Sequence, residues 1–341
     1  MTKVPLIKII ENILWINARP FNKHDIETGK FVSNITQEIL ELNQELLSSL
    51  IVVLDTRHEG HGQLEYDLMI QELTKESWFD ANKCFWINNV ITVKQPRVLS
   101  APWQMTNHMN YLDFVKRINR NWNTLDRKVK FACLMRRQTP SRTRLALDII
   151  NKFPSNQYVL SCSTEISPNF GYKEHGITFP ILLDGPTTQT QSHQLDREDV
   201  FDCLINSIVE TSNQLDALTQ AGWSSIFITE KTFKAFAWRQ IPIWFAVPGT
   251  VDAVRSAGFD VFDDICNHHD YDNITDQSLR FLKVLEYLQK LLYSLPSIDS
   301  LIPRFQYNYD LLQELNLDIT SHDTYLINLV KESYQLQNST V

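Results

Sequence analysis

The chain has 341 residues, 43% apolar and 21% charged, with a net charge of −8. That length suits two domains rather than one, and those proportions exclude a disordered or fibrous chain. The negative balance counts against a protein that grips nucleic acid by its overall field. Residues 7–15 read as a first strand or a short helix, the periodicity fitting either. Residues 35–50 carry apolar positions at helical spacing and lead into a buried strand at 51–54. Asp55, His58 and Glu59 leave the carboxyl end of that strand on a polar loop, the place where open α/β sheets bind ligands. A helix over 66–74 and a strand over 84–89 continue the β-α-β rhythm. A polar and aromatic loop at 99–110, with Trp103, His108 and Asn110, precedes an amphipathic helix over 111–122.

A second cycle opens with a strand at 129–135, which ends in RRQTPSRTR before a helix introduced by Pro140 and Ser141. Arg136, Arg137, Arg142 and Arg144 at a strand end suit phosphate, because guanidinium is planar, permanently charged and bidentate. A short strand at 158–161 precedes a long polar stretch over 163–194, a length usually reserved for function or mobility. The next strand, 204–209, ends at Glu210 and Thr211. Then comes FITEKTFKAFAWRQIPIWF, with a short strand at 226–228, Thr229 as helix N-cap, and Phe233, Phe236, Ala237 and Gln240 at helical spacing. An apolar strand at 241–247 follows. Glu230 and Lys231 therefore sit where a strand delivers the chain into a helix N-terminus, whose amides and dipole favour a diphosphate. Helices over 250–257, closed by Gly258, over 279–295, ended by Pro296, and over 307–315 complete the chain.

No apolar run reaches the roughly 18 residues of a membrane span, and the opening segment carries charges too early for a secretory core. The five cysteines (Cys84, Cys133, Cys162, Cys203, Cys266) form no C-x-x-C pair, which fits reduced thiols in a cytoplasmic protein. Asp260, Asp263, Asp264 and the HHDYD run match no metal-binding spacing and read as solvated loop acids.

The T-E-K motif, its aromatic helix and the I-P-I strand resemble the donor site of the alpha-1,3-fucosyltransferase family. They are more similar still to the mostly viral and bacterial glycosyltransferases with a (S/T)EKT(F/W)K pattern. The resemblance covers the C-terminal half. It implies that Glu230 and Lys231 bind a nucleotide-sugar, with Thr229 beside them. It also implies a phosphate-binding arginine among Arg137, Arg142 and Arg144, the positions matching an R-R-x-x-P-x-R setting. The segment ending at Glu210 resembles the family's VNIVTET, which makes Glu210 a candidate for donor hydroxyls or a structural strand-end carboxylate.

The resulting expectation is an α/β, GT-B-like chain with two Rossmann-like domains facing across a cleft. An acceptor domain spans 1–125, a donor domain 126–300 and a helical tail 301–341. The expected reaction is an inverting, metal-independent sugar transfer from a GDP- or UDP-linked donor to a hydroxyl of a glycan or similar acceptor. No separate cofactor is needed, and one of Asp55, His58 and Glu59 is the candidate base. The alternatives are transfer to a hydroxymethylated DNA base and a non-catalytic nucleotide-sugar-binding partner.

Overall fold

The computed structural model describes residues 7–17, 28, 30–39, 42, 44–56, 63–88, 97–100, 127–135, 140–162, 198–210, 226, 228–315 and 319–339. His58, Glu59, Arg136, Arg137, the loop bearing Trp103, His108 and Asn110, the expected 111–122 helix and all of 163–194 lie outside them. The protein is α/β and divides into two compact units, Met1–Met105 with Asp318–Val341, and Thr106–Leu317.

The first unit is built on a five-stranded sheet, β1 (Ile7–Ile10), β2 (Ile13–Asn17), β3 (Ile51–Asp55), β4 (Cys84–Asn88) and β5 (Val98–Ser100), in that spatial order. The ambiguous opening stretch is a β1–β2 hairpin, turned at Glu11 with φ +53°. The remaining pairs are parallel. The apolar residues of β2 and β3 divide by parity. Leu14, Ile16, Val52 and Leu54 pack against α1 (Lys30–Ile39), α2 (Gln44–Ser49) and α3 (Gln63–Leu73) through Ile35, Leu47 and Met69. Ile13, Trp15, Ile51 and Val53 face the other way, onto Leu326 and Val330. Strands laid down in sequential order by right-handed crossovers receive their helices on one face only. A helix from the far end of the chain, α11 (Ile319–Ser339), covers the face left bare.

The expected helix over 35–50 is interrupted between α1 and α2, with Leu42 donating to the Ile39 carbonyl in the gap. The expected tail 301–341 is divided too. Its first part belongs to α10 (Ile298–Leu315) of the second unit, and its second part is α11 of the first. Burial assigns them, since Leu301 and Phe305 enter the second unit's core while Leu326 and Val330 enter the first's.

The second unit has a wholly parallel sheet of β6 (Lys128–Met135), β7 (Tyr158–Cys162), β8 (Cys203–Val209) and β9 (Ile241–Phe245), in the order β7-β6-β8-β9. The chain runs outward from β6 through α4 (Pro140–Lys152) to β7. It returns through α5 (Glu198–Phe201) to β8 on the far side of β6, then passes through α6 (Glu230–Ala237) to β9. The direction of winding thus reverses between β6 and β8, which makes their carboxyl ends the topological switch point of the sheet. Of the expected strand at 226–228, Ile226 and Ile228 are buried but belong to no described strand, and residue 227 lies outside the described residues.

Short α7 (Thr250–Ser256) and α8 (His269–Asp272) and the long α9 (Gln277–Ser294) and α10 complete this unit. Buried Arg280 of α9 donates to the Ala246 carbonyl at 2.8 Å, just past the end of β9. Burial lowers its pKa to about 10. Pro303 falls in the second turn of α10, where its missing N–H forgoes the i→i−4 bond to Asp299 in the first turn.

Candidate functional site

The sequence places its charged candidates at strand ends, and the fold gathers several of them at the switch point. Glu210 follows β8 directly, and α6 begins at the same end of the sheet. Thr229 has the extended backbone of an N-cap, and its hydroxyl accepts the Lys231 amide at 3.3 Å. A threonine cap needs its rotamer fixed, and Glu210 fixes it. One carboxylate oxygen of Glu210 accepts the Thr229 amide at 3.1 Å and the Thr232 hydroxyl at 2.7 Å. The other accepts the Thr229 hydroxyl in a short hydrogen bond. Thr232 in turn accepts the Trp244 indole N–H at 3.0 Å, tying α6 to β9.

Glu210 is 1% exposed. Three donors reach its two oxygens, which is how a buried carboxylate recovers the hydrogen bonds it loses on leaving water. Its orientation is inward, toward the helix start, and it acts as the pin that holds α6 rather than as a group presented to ligand hydroxyls. Lys231 completes the arrangement. Its ammonium donates to the Thr229 hydroxyl at 3.0 Å and lies 3.9 Å from the Glu210 carboxylate, with its side chain 22% exposed.

The arginines separate sharply. Arg142 is buried in the first turn of α4, and its guanidinium donates to the backbone carbonyl of Glu210 at 3.3 Å. Arg144, two residues on, is 76% exposed and pairs with Asp148 one turn further along. Arg142 therefore belongs to the cluster and Arg144 does not. Two cations from different strand–helix junctions, Arg142 and Lys231, meet on the single residue Glu210. The amides expected to be open at the α6 N-terminus are largely engaged. Thr229 donates to Glu210, Lys231 to the Thr229 hydroxyl and Thr232 to the Thr229 carbonyl. An anion arriving here would meet side-chain cations and the helix dipole more than open backbone donors.

In the first unit Asp55 ends β3, as the sequence predicts, but it is buried and accepts the Trp15 indole N–H at 3.0 Å. Beside it the Thr56 hydroxyl accepts the Trp86 indole N–H at 2.7 Å. Two tryptophans thus tie down the carboxyl end of this strand.

The acids expected in solvent are ion-paired instead. Arg304 forks onto Asp260 and Asp264, and Arg255 onto Asp263. Those guanidinium partners depress the Asp264 and Asp263 carboxyls, against the opposing pull of burial, which is the largest influence on Asp263. Asp272 of the HHDYD run caps α7, accepting the Val251 and Asp252 amides at 3.1 Å each.

Sequence reasoning missed Thr232 and Trp244. Thr232 sits in the recognised motif, but its bond spans 22 positions back to Glu210, and no local periodicity marks such a pairing. Trp244 reads as one more apolar strand residue until its indole N–H finds a partner. Comparison with protein-family models, curated proteins and solved structures finds no match for this chain.

Proposed function

We propose that the second unit binds a nucleotide-sugar through its diphosphate and that the protein transfers the sugar to a hydroxyl acceptor. One observation carries this reading: Arg142 and Lys231 converge on Glu210 at the switch point of a parallel sheet. Crevices at such points are where open α/β sheets take nucleotides. A buried guanidinium and a partly exposed ammonium offer a bidentate and a mobile point charge to the same anion. The resemblance of the T-E-K segment to fucosyltransferase-like donor sites points the same way.

On this reading the two α/β units are the acceptor and donor halves of a GT-B arrangement. Sugar transfer makes a diphosphate leave as the glycosidic bond forms, so negative charge grows on the leaving oxygen. Arg142 and Lys231 stabilise that charge by electrostatics already in place, which is the form of catalysis that costs least reorganisation. A cation pair doing this work makes a bound metal unnecessary. Asp55 is occupied with Trp15 and suits a role in bracing its strand end. Among the three proposed bases, His58 and Glu59 then become the first to test by substitution.

The experiment is a thermal-shift panel of UDP- and GDP-linked sugars, followed by donor turnover in the presence of EDTA. A ligand that binds only the native state raises its melting temperature, by an amount corresponding to about 2.7 kcal/mol at a hundredfold excess over Kd. At least one nucleotide-sugar is expected to stabilise the protein, and its turnover is expected to survive chelation. No stabilisation by any member removes the donor reading, and turnover abolished by EDTA and restored by manganese removes the metal-independent one.

A further inference from the structure

We infer that Glu210 is a positioning residue whose buried carboxylate, acting through the Thr229 hydroxyl, sets the seat of the Lys231 ammonium. This role presupposes the nucleotide-sugar site proposed above. A hydroxyl has one proton to donate and two lone pairs to offer. At Thr229 the proton goes to Glu210, and the lone pairs receive the Lys231 amide at 3.3 Å and the Lys231 ammonium at 3.0 Å. The hydroxyl can accept from the ammonium because Glu210 has turned its proton the other way. Glu210 needs no contact with ligand to do this, and at 1% exposure its oxygens are spent on Thr229 and Thr232.

The consequence for substitution runs against simple charge counting. Glu210→Gln removes a negative charge 3.9 Å from Lys231, so field alone would make the site a better anion binder. Hydrogen bonding predicts the opposite. The oxygen facing the Thr229 amide and the Thr232 hydroxyl must remain an acceptor, so the new amide nitrogen falls opposite the Thr229 hydroxyl. That hydroxyl must then accept from the amide and turn its proton toward the Lys231 ammonium, donor against donor. The ammonium leaves its seat, and anion binding loses the benefit of a cation ordered in advance.

The test is calorimetric titration of the full chain with UDP and with GDP. Glu210→Gln and Thr229→Val should each weaken binding of the preferred nucleotide about tenfold, the loss of one charge-assisted hydrogen bond. Thr229→Ser should restore it to near the wild-type value. In a Lys231→Ala background neither Glu210→Gln nor Thr229→Val should weaken binding further, because the group they position is gone. Melting temperatures identify any variant that fails to fold. If Glu210→Gln does, the Thr229→Val and Thr229→Ser pair decides alone. Tighter or unchanged binding by Glu210→Gln, or losses that add fully to that of Lys231→Ala, would overturn the positioning role while leaving the donor site intact. Failure of the wild type to bind either nucleotide overturns both.

Discussion

Arg142 and Arg144 stand two residues apart on α4, yet their surroundings assign them opposite roles. Arg142 is buried with its guanidinium on a backbone carbonyl, and such a charged hydrogen bond contributes about 1.5–3 kcal/mol. Arg142→Ala should cost stability of that order and weaken nucleotide binding as well. Arg144→Ala removes an exposed i,i+4 ion pair and should leave both within about 0.5 kcal/mol of wild type. Urea unfolding with nucleotide titration of the two variants checks this, and equal effects would contradict it. His268 gives a pH-dependent case. It is fully buried, its Nε2 lies 2.7 Å from the Val261 carbonyl, and its Nδ1 is hydrogen-bonded with the Tyr271 hydroxyl. A carbonyl can only accept, so the proton sits on Nε2 and Nδ1 accepts from tyrosine. Burial lowers the His268 pKa from 6.5 to about 4. Below pH 6.5 the unfolded chain binds a proton that the folded chain refuses, so stability falls as pH drops toward 4. The loss should reach about 3 kcal/mol. Urea unfolding at pH 7 and at pH 4.5 should show it in the wild type and not in His268→Gln. Equal pH slopes in the two proteins would contradict it.

Among elements, α6 is pinned at both ends. Glu210 and Thr229 hold its start, and buried Arg127 donates to the Trp238 and Arg239 carbonyls at its finish, a cation where the helix dipole is negative. This helix was legible in the sequence because Thr229 is a strong N-cap and its aromatic residues recur at helical spacing. Strands β6, β8 and β9 were legible as apolar runs, the first two ending at charged residues and the third at Pro248 and Gly249. What could not be read locally was anything decided by tertiary contact. The break between α1 and α2 lies inside one amphipathic pattern. Ile226 and Ile228 look like strand residues but are buried outside the described strands. That Arg142 rather than Arg144 turns inward depends on where β8 lies beside β6. The placement of α11 is the largest such case. Its Leu326 and Val330 seal the face of the first sheet that carries Ile13, Trp15, Val53 and Phe85, contacts spanning almost the whole chain. Leu326→Ala should therefore destabilise the first unit by about 2–5 kcal/mol, a core truncation rather than a trimmed tail. Limited proteolysis should then cut first within residues 1–105. Wild-type protease resistance there would show that α11 is dispensable.

Over the whole molecule, a net charge of −8 surrounds a site where two cations meet on one residue, Arg142 at the Glu210 backbone carbonyl and Lys231 beside its carboxylate. A general field of that sign does not draw anions in, so binding has to come from close, ordered contacts, which salt screens less than it screens long-range attraction. The two units are built differently. The first is a sequential sheet covered by α11, whereas the second is wound in both directions from β6 and β8, and among the described strands only the second shows the reversal at which open α/β sheets take ligands. No helix among the described residues is long and apolar enough to cross a membrane. The central claim is that Lys231 grips the diphosphate of a nucleotide-sugar. Its most direct test is calorimetric titration of wild type and Lys231→Ala with whichever nucleotide-sugar stabilises the wild type most. Loss of one charge-assisted contact predicts binding roughly ten- to a hundredfold weaker in the variant. Its melting temperature should be nearly unchanged, because the ammonium lies at the surface end of the cluster. Equal affinity in the two proteins would mean that the T-E-K segment only starts a helix, and the proposed function would fall with it.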